Sequence, residues 1–316
     1  MKHALLFLFA ILLVSCQEEK PLTPQEMVLG NWSALDTTTS FYSRIRFGDN
    51  RGFEFFPDSI FEDKFGFLSN RLYSIDSVND PYNRYLRYFG TESKYALSKD
   101  SLRLFNPATQ KWSSYKVEKL TPDTLIIATN VKDERGGTFI KKTYNTDTIP
   151  DFDAIYFYSS PCFGYCPVVM LLIKSNGDVL YMGGNNVKHD GFNRSKISKE
   201  EFNRIQEKFK RADYMNLKEV YSATTAHTPH VNIYFIKDNK VVKTIEDRGA
   251  EVDVPYELVW AYFPLQRIEQ QLDMKKLEIP DDIAKEFKLD TDNKDILFYL
   301  DAGMGFDFLT RLSENL

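Results

Sequence analysis

From Gly30 to about Asn145 the chain keeps one short cadence: a β-prone stretch, a turn, another β-prone stretch. Candidate strands cover 41–47, 52–56, 72–78, 84–89, 94–97, 102–105, 113–120, 124–128 and 138–144. Turn residues such as Gly48-Asp49-Asn50, Lys99-Asp100-Ser101 and Pro122-Asp123 separate them. Strands spaced at roughly 8–12 residues, with no helical period between them, belong to a β-barrel or a sandwich. Eight or nine antiparallel strands are expected here, and no helix. The aromatic content of 15% suits such a sheet.

After Asp151 the texture changes. A strand is expected at 154–158, then a hairpin of 168–174 with 179–182. Asn176-Gly177 supplies the positive φ of its tight turn. Ser198 and Glu201 have the spacing of a capping box, and Phe202, Ile205, Phe209 and Ala212 follow at helical intervals. A second hairpin pairs 231–236 with 241–245. A second helical pattern opens at Pro255, with Pro264 set to break or kink it. The expected fold class is therefore mainly β plus α+β. An N-terminal antiparallel barrel or sandwich precedes a four- or five-stranded antiparallel sheet with two helices on one face. The charged and aromatic tail, 275–316, is expected to pack on this second domain rather than to stand exposed.

The first residues decide the expected location. Residues 1–15 combine Lys2 with the apolar run 4–14, too short for a membrane span of about 20 residues. They read as a signal peptide. Leu13-Val14-Ser15-Cys16 resembles a bacterial lipobox, which implies cleavage before Cys16 and a lipid on its thiol. Residues 16–27 would then be a lipid-anchored tether. The acidic residues after Cys16 resemble the export signal of Bacteroidetes lipoproteins. That implies a cell-envelope protein held at the outer membrane, on its periplasmic or its outer face.

The chain has 3 Cys, and if Cys16 is acylated Cys162 and Cys166 remain. An oxidising compartment favours a disulfide between them. Four extended residues span about 13 Å, and a disulfide needs Cα atoms roughly 4.4–6.8 Å apart. The bond therefore requires a turn, which Gly164 permits. A reactive or metal-binding pair and two free thiols are the alternatives; two cysteines alone do not complete a zinc site.

Two resemblances extend this reading. Gly30-Asn31-Trp32, the stretch 95–102 and the stretch 115–127 are similar to lipocalin-like domains of small bacterial lipoproteins, over 28–147. The resemblance implies that Trp32 closes the barrel base. Cys162-Phe163-Gly164-Tyr165-Cys166-Pro167 resembles the C-F-G-x-C-P signature of a bacterial domain of unknown function, over 151–274. That family brings no activity with it.

Chemistry-bearing patterns are sparse. His227 and His230 could begin a metal site, but Pro229 prevents helical presentation and the pair reads as strand-edge histidines. Asp290-Thr291-Asp292-Asn293-Lys294-Asp295 starts like a calcium loop and fails at Lys294 and Asp295. No hydrolase or phosphate-loop motif is present. Asp-Ser/Thr-apolar triplets at Asp36, Asp58, Asp76, Asp100, Asp123 and Asp147 resemble O-glycosylation acceptors, and turns entering strands produce the same triplet. With 40 basic against 45 acidic residues and no charge run, nucleic-acid binding is not expected. The expectation is a non-enzymatic binding module with no cofactor, metal or catalytic residue. Its partner would be an envelope protein, or a small apolar ligand in a barrel near Trp32, Tyr42, Phe53 and Phe55. An envelope hydrolase and a structural subunit of an envelope assembly are the alternatives.

Overall fold

The structure, a computed structural model, describes residues 21–35, 52–74, 84–128, 137–222, 228–249, 254–279 and 302–314. It opens with a short helix, α1 (Pro24–Val28), where the sequence reading placed only tether. Thr23 and Glu26 form a reciprocal capping box, and Pro24 sits in the first turn. Those residues satisfy donors that would otherwise be orphaned, so five residues hold a helix.

Ten strands follow: β1 (Gly30–Ala34), β2 (Gly52–Phe55), β3 (Ile60–Asp63), β4 (Leu68–Ser74), β5 (Arg84–Tyr88), β6 (Glu92–Leu97), β7 (Ser101–Asn106), β8 (Lys111–Leu120), β9 (Thr124–Ile127) and β10 (Gly137–Lys142). Eight of them close an antiparallel barrel in the order β1-β10-β9-β8-β7-β6-β3-β2. The hairpin β4–β5 leaves the barrel wall as a separate two-stranded sheet. This is the barrel that the lipocalin-like resemblance implies. The strand expected at 41–47 lies outside the described residues, and β1 and β3 were not among the expected strands.

Alternation sends Phe53, Phe55, Phe61 and Phe139 inward, where they meet Phe67 and Tyr95. Their ring centroids lie 4.9–6.1 Å apart, within the range of favourable aromatic packing. Trp32 is buried in this core: its Nε1 donates to the Val28 carbonyl at 2.6 Å, and the Lys141 ammonium lies 4.9 Å from its ring centre. The barrel interior is thus a packed aromatic core.

The second domain differs from expectation in its extent. Its sheet has eight strands, not four or five. They are β11 (Ala154–Ser159), β12 (Val169–Lys174), β13 (Asp178–Gly183), β14 (Gly191–Lys196), β15 (Val220–Ser222), β16 (Val231–Lys237), β17 (Lys240–Arg248) and β18 (Lys275–Lys276). The order is β15-β17-β16-β11-β12-β13-β14-β18, and the β15–β17 pair is parallel. The extra strands are short edges (β15 and β18) or polar (β14), which hydrophobic periodicity does not reveal. One face carries the two expected helices. α2 (Lys199–Arg211) buries Phe202 and Phe209. α3 (Tyr256–Tyr262) passes into a 3₁₀ helix (Phe263–Gln270) at Pro264, whose ring cannot continue the α hydrogen bonds.

The opposite face is covered by α4 (Ala302–Glu314), from the C-terminal tail. Phe308, Leu309 and Leu312 meet Tyr156, Met170, Leu172, Leu180 and Met182 there. Gly305 permits the close approach: a Cβ at that position would lie 2.5 Å from Met170 Sδ and 2.6 Å from Tyr156 Oη. Among the described residues no helix is long and apolar enough to cross a membrane.

Candidate functional site

Two sites emerge, one on the second domain and one between the domains. The first is the Cys162–Cys166 loop. The two cysteines are bonded across a Cα separation of 5.7 Å. The Gly164 amide turns back onto the Cys162 carbonyl at 2.9 Å, and Asn186 Nδ2 donates to the Cys166 carbonyl at 3.1 Å. At the loop's entry the His230 amide donates to Ser160 Oγ at 2.8 Å. The staple and these tethers hold two aromatic side chains outward: Phe163 is 85% and Tyr165 48% exposed.

Beyond the Asn186 turn, the Lys188 amide donates to Glu269 Oε1 at 3.3 Å. Glu269, on the 3₁₀ helix, is only 1% exposed, and its Oε2 has no hydrogen-bond partner. Burial pushes this carboxyl up to about 7, although the Lys188 amide, Lys188, Gln270 and Arg267 oppose the shift. Its neighbour Arg267 is also buried, and burial lowers the guanidinium to about 10. Arg267 donates to Gln266 Oε1 at 3.1 Å and lies 4.7 Å from the Phe263 ring centre. Further along, Tyr262 donates its hydroxyl to Asp247 Oδ2 at 2.8 Å, both buried.

The second site joins the domains. Register places Glu54 of β2 opposite Glu62 of β3, and Glu62 opposite Glu92 of β6. Phe53, Phe55 and Phe61 take the inner positions, so the three carboxylates form one row on the outer wall. Adjacent strands lie about 4.8 Å apart, so the row spans about 10 Å. Helix α2 presents Arg204, Lys208 and Arg211, spaced four and three residues apart and therefore on one face. A rise of about 1.5 Å per residue spreads them over roughly 10.5 Å. The two ladders match. Arg204 meets Glu92 at 2.8 Å, Lys208 pairs with Glu62, and Arg211 meets Glu54 at 2.7 Å.

Lys64, from the barrel itself, adds contacts of 2.7 Å to Glu54 and 2.9 Å to Glu62. Asn31 and Arg211 complete the end of the row at 3.2 Å. Burial alone would raise Glu62, but Lys208 and Lys64 more than reverse that and draw it down to about 2. The same contest, decided by Lys64 and Arg211, holds Glu54 below the ordinary carboxylate range. Both carboxylates are therefore charged and saturated with partners.

Other contacts join the domains around this seam. Phe65 leaves the barrel and packs edge-on against Phe263 at 5.0 Å. Gln270 and Gln271 grip the β5 backbone through Leu86 and Tyr88. Gly52 admits the Trp260 ring, which a Cβ would meet at 2.6 Å. A cleft of about 550 Å³ runs along the seam between β2, β3, α2 and the 3₁₀ helix.

Of the residues singled out in the sequence, Cys162 and Cys166 come together as a disulfide. Trp32, Phe53 and Phe55 lie in the barrel core. Cys16, Tyr42, His227 and the 290–295 segment lie outside the described residues. Among the described residues no group of acidic, His or Cys side chains is placed to hold a metal ion. Asp100 and Asp123 precede strands β7 and β9 directly, and Thr124 Oγ1 donates to Asp123 Oδ1 at 3.0 Å, as a turn pattern does.

The molecule is thus an eight-stranded barrel joined side-on to an α+β domain built on an eight-stranded sheet. Residues 153–269, the heart of that second domain, match DUF6438, a domain of unknown function. No curated protein and no solved structure matches the chain.

Proposed function

We propose that this is a non-enzymatic binding protein of the cell envelope, held to the membrane by acylated Cys16, that recognises a protein partner through the Cys162–Cys166 loop. The observation that carries the reading is the exposure of Phe163 and Tyr165 on a stapled turn. Rigid aromatic side chains make strong anchors in protein interfaces, and pre-ordering lowers the entropy lost on binding. The aromatic filling of the barrel weighs against an apolar ligand inside it. The pairing of Glu54 and Glu62 leaves neither poised for acid–base work near neutral pH. Glu269, raised to about 7, is 1% exposed and so is withdrawn from any substrate in solution.

The test is crosslinking in intact envelopes, comparing the native chain with Phe163→Ala/Tyr165→Ala. The double variant is expected to lose the crosslinked partner while keeping its thermal midpoint. The same crosslinked species in both would sink the assignment of the loop. The anchor is tested apart: Cys16→Ser is expected to move the protein from the membrane pellet to the soluble fraction. An unchanged pellet fraction would refute acylation at Cys16 as the anchor.

A further inference from the structure

Charged side chains belong at the surface, and 27% of this chain is charged. The exposed Cys162–Cys166 loop nevertheless carries none. No residue from Ser160 to Pro167, the connection of β11 to β12, is acidic or basic. Burial accounts for the apolar strands on either side, but not for the loop, where Phe163 is the most exposed large hydrophobic side chain among the described residues. The adjoining turn Gly184-Asn185-Asn186-Val187, tied to the loop through Asn186, is uncharged as well. On the other side Thr228-Pro229-His230 leads into β16 and contributes one imidazole.

The loop also keeps much of its backbone to itself. Pro161 and Pro167 have no N–H to offer. The Pro161 carbonyl accepts from Ser160 Oγ at 3.1 Å and the Cys162 carbonyl from the Gly164 amide at 2.9 Å. Asn186 Nδ2 reaches the Gly164 and Cys166 carbonyls at 3.5 and 3.1 Å. What the turn presents is therefore a convex pair of rings, Phe163 and Tyr165, rather than a strand edge or a charge. Such a knob is desolvated only by a concave surface. A charged lining there would lose its water with no opposite charge on the loop to replace it. A lipid surface fits less well, because segments that lie on membranes set Lys or Arg beside their apolar residues, and this loop has neither.

We propose that the partner of this loop is a folded protein that receives Phe163 in an uncharged apolar pocket, with Tyr165 covering the pocket's rim. The inference rests on the loop being the partner-binding element, as proposed above, and adds the chemistry of the surface that binds it.

The test measures, in isolated envelopes, the yield of the species crosslinked to the full chain. The yield is expected to change less than about twofold between about 0.05 M and 0.5 M NaCl, since there is no ion pair to screen. Phe163→Leu is expected to keep the species, because the pocket asks for an apolar side chain. Phe163→Lys is expected to lower the yield about tenfold or more, by placing a charge in a dry site. Phe163 is exposed in the free chain, so neither change is expected to move the thermal midpoint. Loss of the species at high salt, or full yield from Phe163→Lys, would overturn the uncharged pocket and leave the loop as the binding element. Full yield from Phe163→Ala/Tyr165→Ala would remove both readings. Co-sedimentation of the Cys16→Ser chain with protein-free vesicles of phosphatidylethanolamine and phosphatidylglycerol, lost in Phe163→Ala, would place the ring in lipid and overturn the protein pocket.

Discussion

Glu62 and Glu269 are both almost fully withdrawn from water, one in the seam between the domains and one under the 3₁₀ helix of the second domain. Their titration is nevertheless opposite. Glu62 is drawn down to about 2 and Glu269 is pushed up to about 7. Burial acts in the same direction on each. The difference is company: Glu62 touches two ammonium groups, whereas Glu269 has one backbone amide and an unpartnered oxygen. Desolvation sets the penalty for charge, and the neighbours decide whether the charge is kept.

The most forceful way to break this comparison is Lys64→Met, which removes the barrel's own cation from both Glu54 and Glu62. A buried ion pair broken on one side costs about 3–5 kcal/mol, so urea unfolding is expected to show a loss of that size at neutral pH. A loss below about 1 kcal/mol would mean that Lys208 and Arg211 suffice alone.

Next comes the pH profile. A carboxyl raised from its ordinary value to about 7 binds its proton more tightly in the folded chain. Its contribution is therefore full below the unfolded pKa and is lost as pH rises through the folded one. For Glu269 this amounts to about 3 kcal/mol between roughly pH 4.5 and 7. Glu62, lowered to about 2, behaves inversely: its contribution is present above the unfolded pKa and is lost as pH falls toward 2. Glu269→Gln is expected to abolish the slope between roughly pH 4.5 and 7 and leave the more acid limb untouched. Parallel curves for the variant and the native chain would refute the role assigned to burial.

The smallest expected effect comes from Cys162→Ser/Cys166→Ser. So short a loop contributes about 2 kcal/mol by chain entropy. The disulfide touches neither carboxylate, so both pH limbs are expected to persist in the variant. A changed slope between roughly pH 4.5 and 7 would reveal coupling from the loop through Asn186 and Lys188 to Glu269.

Much of this fold was legible because it follows local rules. Ser198 and Glu201 announced α2, Asn176-Gly177 announced a hairpin, and Pro264 marked the point where an α-helix gives way. The Cys162–Cys166 turn was legible for the same reason. The charged seam was not singled out, since Glu54 and Arg211 are 157 residues apart in sequence. Half of its signal was nonetheless local: Phe53-Glu54-Phe55 places Glu54 opposite the core, and 204, 208 and 211 share a helix face. What local pattern could not supply was the register that aligns Glu54, Glu62 and Glu92. Glu269 was hidden more deeply, because nothing in its surrounding residues signals an acid that will be buried with no cation in direct contact.

Helix α4 has a consequence for the domain as a module. The matched family segment ends at residue 269, yet Tyr156, Met170, Leu172, Leu180 and Met182 on its sheet are sheltered by residues 306–312. The domain as bounded by its family model is therefore one layer short of self-sufficiency. A protein that inherits that segment with the same apolar face must furnish a roof of its own, from its own chain or from a neighbour.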